Sequence, residues 1–462
     1  MSEPTLVQRL GSFAAQAAVP DEVRASVRSR VLDVVGLCAA ALPLETSAAV
    51  VEHTTALGGA AQAHAIGARD LLPAPHAAFV NGVLAHSLDY DDTHLPSILH
   101  PSASVVPATL AAAELAGASG ARTVEAIAAG IEICVRLGMA GYDRETGNSL
   151  FFERGQHATS ICGAVASAAS AAAVLGLDAA GIAHAMGIAV SMGSGVIEGN
   201  RTGGTVKRLH CGIAAQSGVT AAMLAARGIT GPPTALEGRF GFFSAWIDGR
   251  FDAGAIVDGL GQTWSVPGIF FKPYPCNHFT HAGIDAAIAL REEGLRPEDV
   301  DRAMLGVAAP TVRTIGEPIE AKRAPETGYQ AQFSGPYTVA AALAGGGGLG
   351  VGLDDFTDEL ARDPARRALM ARIAVEADPW CDGIYPNQFP AVLRVRTIDG
   401  REIERRIEAN RGGPGNPLSD EDLARKFTDN ALRSMTPGQA ERVRERCAAL
   451  ETLQAGDLLA GL

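Results

Sequence analysis

Charge is scarce in this chain of 462 residues: 19% are Asp, Glu, Lys or Arg, against 47% hydrophobic residues. Basic residues are the scarcer kind, 38 against 51 acidic ones, for a formal net charge of −13. No basic run and no stripe of basic and aromatic residues occurs, which excludes nucleic acid as an expected partner. A pocket for an anion stays open, because local charge decides that. Cysteine is sparse and unpaired: seven residues, an odd number, with no CxxC. Cys38, Cys134, Cys162 and Cys211 fall in apolar helical patterns and read as small core residues. A reduced, cytoplasmic compartment is therefore expected. Long apolar runs are missing too. The stretch 167–177 (SAASAAAVLGL) is interrupted by Ser and Gly and reads as a buried helix, not a membrane span. The N-terminal MSEPTLVQRLGSFAAQ has no basic region leading into an apolar one, so no secretion signal is expected. HEXXH is absent, and Gly193-Ser194-Gly195 is no nucleophile elbow, lacking the spacing and the preceding strand. GGGGLG at 345–350 lacks the Lys-Ser/Thr of a phosphate loop and reads as a flexible turn.

What is present is helix. Residues 21–42 place Val27, Val31, Val34, Val35 and Cys38 at three- and four-residue spacings after the start signal Pro20-Asp21. Further helices are predicted at 46–57, 75–88, 103–117, 123–140, 157–175, 180–194 and 207–227. Ala and Gly dominate their faces, so backbones should approach closely around a central pair. Gly231-Pro232-Pro233 breaks the run. Past residue 265 the pattern changes. Strands are predicted at 302–309 and 372–377, and 391–407 alternates apolar and charged residues around Asp399-Gly400 as a hairpin. Helices are predicted at 280–294, 335–344, 420–430 and 437–460. The expected fold is mainly α: a large all-helical domain at 1–266 plus 437–462, and a smaller α+β lid domain at 267–436.

The densest chemistry lies at 81–107, NGVLAHSLDYDDTHLPSILHPSASVVP. It holds His86, His94, His100, Asp89, Asp91, Asp92 and Thr93 between apolar helices. An exposed connecting loop is the plain reading, and the floor of an active site the sharper one. Four other segments share its character. RGQHATS at 154–160 sets His157 at a helix start, where the dipole depresses an imidazolium pKa. GNRTGGTVKRLHCG at 199–212 leads Lys207 into an apolar helix, where it can bind a carboxylate or act as acid or base. Arg208 and His210 stand beside it in supporting roles. FKPYPCNHFTHAGID at 271–285 carries His278 and His281 three apart, read as proton-transfer groups more readily than as metal ligands, since no carboxylate completes a ligand set. Cys276 sits after Pro273 and Pro275 in a rigid turn, a poor place for a nucleophile. ETGYQAQFSGPY at 326–337 offers donors, Tyr337 among them, or is an ordinary helix-capping turn.

Taken in order, LDYDDTH, LHPSASVVPA, GQHATS, TVKRLHCGIAAQSGVTAAMLAARGITGP, KPYPCNHFTHAGIDAA and FSGPYTVAAAL resemble the MmgE/PrpD family over about residues 5 to 450. The resemblance implies a homodimer of helical and α+β domains with no cofactor and no bound metal. Its implied substrate is a small di- or tricarboxylate, acted on by loss of a proton next to a carboxylate. Dehydration of the 2-methylcitrate type or decarboxylation of the cis-aconitate type is the expected lyase reaction. Epimerisation of a dicarboxylate such as iminodisuccinate is the alternative, and a non-catalytic binding protein a further one. The resemblance carries Asp89, Thr93, His100, His157, Lys207 and His281 onto the site, and the reading of the residues adds His278, Tyr337 and Arg208. Asp89, His100, His157, Lys207 and His281 are expected as catalytic groups. Thr93, His278, Tyr337 and Arg208 are expected to bind substrate.

Overall fold

The computed structural model describes residues 3–199 and 204–462 and divides the chain into two compact units, Met1–Ile269 with Phe427–Leu462, and Phe270–Lys426.

Among the described residues the first unit is helical, apart from a short hairpin pairing Tyr142–Asp143 with Asn148–Ser149. This corrects the all-helical expectation in a small way. An unpredicted helix, Leu6–Gln16, opens the chain. At the centre lies Ala158–Val174, all 17 of whose residues are buried. Side chains this small contribute little burial each, so dispersion has to come from close backbone approach. Glycines provide it where helices cross. A Cβ on Gly82 would sit 2.8 Å from the Cα of Gly212, and one on Gly212 would strike the carbonyl of Phe79. Helices Ala74–His86 and His210–Ala225 are thereby locked backbone to backbone. Gly218 meets Ser167 in the same way and joins His210–Ala225 to Ala158–Val174. Helix ends follow local chemistry. Ser119 accepts from the Arg122 amide at 3.3 Å, Asp178 caps Gly181 at 2.8 Å, and Gly117 ends Ser102–Ala116 with φ 60°. No single helix is long and apolar enough to cross a membrane among the described residues. Asp21–Ala41 and Glu45–Leu57 reach that length only as a pair bent by 98°.

The second unit carries a four-stranded sheet in the order Ile373–Ala377, Val300–Val307, Ala391–Thr397, Glu402–Ile407. The first pair is parallel and the others antiparallel, with Leu305 opposite both Val375 and Leu393. The predicted hairpin forms, with Gly400 at φ 87° in its turn. Its outer strand alternates exposed and half-buried residues, as an edge strand that must stay soluble does. Leu305, Leu393 and Val395 join Ile284, Ala287 and Leu290 of helix His281–Glu292, and Tyr337 to Leu343 of helix Gly335–Ala344, in one core. The glycine turn at 345–350 is less free than expected. Asp355 accepts from the amides of Gly347 at 2.9 Å and Gly352 at 2.8 Å, which pins it.

Candidate active site

The segment after helix Ala74–His86 is buried, so it is not a solvated loop. Its three aspartates have three different partners. Asp92 is 2% exposed and bonds Arg30 at 2.7 Å, while also taking the amide and hydroxyl of Ser102. Asp91, fully buried, accepts from His86 Nδ1 at 2.7 Å. Asp89 faces Lys207 Nζ at 3.5 Å. Asp89 has φ 52°, a left-handed conformation that Asp tolerates better than most residues. The fold therefore spends Asp92 on anchoring the segment and directs Asp91 and Asp89 to basic groups.

Four imidazoles meet here. His100 Nδ1 lies 2.7 Å from the Asp92 carbonyl and 3.3 Å from Thr93 Oγ1. A carbonyl only accepts, so Nδ1 carries the proton. His86 Nδ1 is likewise committed to Asp91, and its buried Nε2 has no hydrogen-bond partner. His157 Nδ1 and His210 Nδ1 are 2.9 Å apart. One must donate and the other accept, so the neutral pair presents one Nε2 lone pair and one Nε2–H. The ring of His86 is 5.4 Å from those of His100 and His157. His94 belongs elsewhere in the loop, bonded to Ser97 at 2.7 Å.

His157 caps the helix Ala158–Val174 in position only. Its amide donates to Gly195 at 3.0 Å, while its ring turns to His210. Burial is the first cause holding its imidazolium well below the ordinary 6.5, followed by its neighbours His86 and Lys207. The helix dipole expected from sequence is not the main cause. Burial also takes His210 down to about 4, with the same two neighbours adding to it, and His94 to about 4, with Arg30 adding. All three are neutral near pH 7. The sign follows for stability: an unfolded chain takes up these protons below its ordinary 6.5 while the folded one does not. Stability should be full above pH 6.5 and drain away as the pH falls towards about 4. Thermal melts across that window are the check, and a flat melting temperature would contradict the neutral-histidine assignment.

Lys207 lies in the one-turn helix Val206–Leu209, just before His210–Ala225. Part of the Lys207 motif, residues 200–203, falls outside the described residues. Arg208 points its Nη1 to Thr46 Oγ1 at 2.8 Å, so its expected place on substrate is taken at least in part by helix Glu45–Leu57. One ligand atom each of His86, Asp91 and Cys211 lies within 4.8 Å of the other two, a set able to hold a metal ion.

In the second unit, His278 and His281 stack with centroids 4.4 Å apart. His281 Nε2 faces the Cys276 carbonyl at 3.3 Å, and Asn410 Nδ2 faces His278 Nε2 at 2.8 Å. Cys276 is tied to Thr280 at 3.2 Å. Tyr337 is a correction. It is fully buried in the sheet-and-helix core, and its hydroxyl donates to the Asp355 carbonyl and accepts from Arg366 at 2.8 Å. Ser334 caps its helix by accepting from the Tyr337 amide at 3.0 Å, so the capping reading of that turn holds and Tyr337 is a packing residue.

Sequence reasoning left out His86, Asp91 and Asn410 as partners and gave His210 only a supporting place. The one local signal was the five-residue step from His86 at a helix end to Asp91.

The MmgE/PrpD N-terminal domain profile matches residues 8–253, and the MmgE/PrpD C-terminal domain profile residues 274–452. Cis-aconitate decarboxylase of Homo sapiens is 30% identical over 404 residues, 85% of this chain and 79% of that protein. The Mus musculus protein of the same name is 29% identical over 402 residues, 85% of this chain and 78% of its own. Cis-aconitate decarboxylase of Aspergillus terreus is 28% identical over 298 residues, 62% of this chain and 59% of its own length.

Proposed function

The chain belongs to the MmgE/PrpD family, and from that premise we propose a cofactor-independent lyase acting on a small di- or tricarboxylate, with decarboxylation of a cis-aconitate-like substrate as its reaction. The observation that carries the reading is the histidine group of the first unit. Every Nδ1 in it is committed to a partner, and Lys207 stands beside Asp89 as the cation. Decarboxylation breaks the bond to a departing carboxylate. The electron pair stays on carbon, delocalised towards a remaining carboxylate, and a proton must arrive there. Lys207 offsets that charge and holds a carboxylate in a low-dielectric site. The Nε2–H of the His157–His210 pair supplies the proton, the shared Nδ1 proton shifts across to the ring that gave it, and a proton from solvent enters at the other Nε2 to restore the neutral pair. His100 takes or returns a proton at Nε2, while Thr93 and Asp89 orient His100 and Lys207. His281 serves as a further acid or base on the strength of the family resemblance, with His278 beside it.

Proton NMR in D2O with cis-aconitate, citrate, 2-methylcitrate and iminodisuccinate tests this. We expect cis-aconitate to give a product one carboxylate shorter, carrying one deuterium. A new olefin from a hydroxy acid would replace the proposal with dehydration, and exchange at an α-carbon without conversion would replace it with epimerisation.

A further inference from the structure

We infer that His86, Asp91 and Cys211 form a site for a soft divalent cation of the zinc class, and that its occupation switches turnover off. The inference rests on the reading above, because a loss of turnover presupposes that the neighbouring histidines turn over a substrate.

The chemistry of the set is the first argument. One imidazole, one carboxylate and one thiol, with ligand atoms within 4.8 Å of one another, are the N, O and S donors that zinc takes in tetrahedral sites. Bonds of about 2.0–2.3 Å would open the 2.7 Å contact of His86 with Asp91 and draw in the Cys211 thiol, within reach of side-chain rotation. Charge is the second. Asp91 and Cys211 are 0% exposed and His86 3%, so an isolated charge there is costly. A divalent ion with one carboxylate, one thiolate and a neutral imidazole sums to zero. Rigidity is the third. His86 ends helix Ala74–His86 and Cys211 lies in the first turn of His210–Ala225, and these helices are locked together at Gly82 and Gly212. His86 Nδ1 and Asp91 already meet at 2.7 Å, so the ion would replace the hydrogen bond between them.

Cys211 holds its proton in the metal-free protein. Binding replaces S–H by S–metal and releases one proton to solvent, so affinity weakens as the pH falls. The bound ion would lie beside the rings of His100 and His157, 5.4 Å from that of His86, and its positive charge would work against their protonation.

Cobalt(II) titrated into the full-length protein is the direct probe, because cobalt–thiolate bonds absorb in the near ultraviolet. Expected are one equivalent of that band, its competition by zinc, and a parallel loss of turnover reversed by a chelator. Cys211→Ser should keep metal-free turnover, lose the band and raise the inhibitory zinc concentration by at least about 100-fold, more than loss of an outer-sphere partner costs. Absence of the band in the unsubstituted protein overturns the inference without any variant, so a misfolded Cys211→Ser or Cys211→Ala does not shield it. A band or zinc inhibition unchanged in Cys211→Ser overturns it too. A chelator that abolishes turnover would also do so, because the metal would then be required. The band does not depend on turnover, so its failure is separable from failure of the proposed reaction.

Discussion

Replacing Lys207 or His157 with alanine is expected to lower turnover by about 100- to 10,000-fold while the helical unit stays folded. The two losses differ in kind. Lys207→Ala removes the positive charge that faces Asp89 at 3.5 Å, leaving a net negative site for an anionic substrate. Its KM should rise along with the fall in kcat. Lys207→Arg should not restore activity, since a planar fork does not replace a compact ammonium. His157→Ala breaks the 2.9 Å bond to His210 and leaves a buried ring nitrogen unpartnered, at about 1–3 kcal/mol. It should lower kcat with little change in KM. Asp89→Asn keeps the left-handed backbone at φ 52° and removes only the charge, so it should fall between wild type and Lys207→Ala. Steady-state kinetics on the decarboxylation substrate, with circular dichroism to confirm folding, reads all four variants. Near-normal kcat in both alanine variants would remove the histidine–lysine group from the mechanism.

The order of that group along the chain was legible, and its pairing was not. Periodicity located most helices to within a few residues: 335–344 is predicted and Gly335–Ala344 is seen, and the hairpin at 391–407 forms around Asp399-Gly400, whereas the helix predicted at 437–460 ends at Ala448 and gives way to short turns. Such patterns are local, and a helix declares its buried face within two turns. The histidine group is not local. His157 and His210 are 53 residues apart in sequence, and their contact depends on two helices crossing at glycines far from both. Nothing near His210 announces that its Nδ1 will be shared. Tyr337 failed for the opposite reason. The Ser334-Gly335-Pro336 helix start was readable, but the face a residue presents three positions into a short helix depends on what covers it. Here a sheet core covers it. Asp92 shows the same limit: sequence set it among candidate site groups, whereas burial and Arg30 make it the bolt of the loop.

Arg30→Ala should therefore be the most destabilising single change among the ionic residues, costing about 3–5 kcal/mol. Arg30 is 1% exposed in helix Asp21–Ala41 and makes three directed bonds: to Asp92 Oδ2 at 2.7 Å, and to the carbonyls of Val266 at 3.0 Å and Ile269 at 2.8 Å. Removing it leaves a buried carboxylate and two carbonyls without that donor, in a place where burial already pushes the Asp92 carboxyl up. The penalty comes from the groups left behind, not from the attraction lost. Deleting both charges should thus be milder than deleting one: Arg30→Met with Asp92→Leu is expected to unfold later in urea than either single variant. Activity should not follow stability. The backbone carbonyl of Asp92 holds His100 Nδ1, and its side chain holds Ser102 at the start of the next helix. The double variant keeps the carbonyl but not the bonds that fix the loop, so it should regain much of the stability and little of the turnover. Equal losses of stability in single and double variants would mean that the ion pair is itself the stabilising element, and that the loop is held by other contacts.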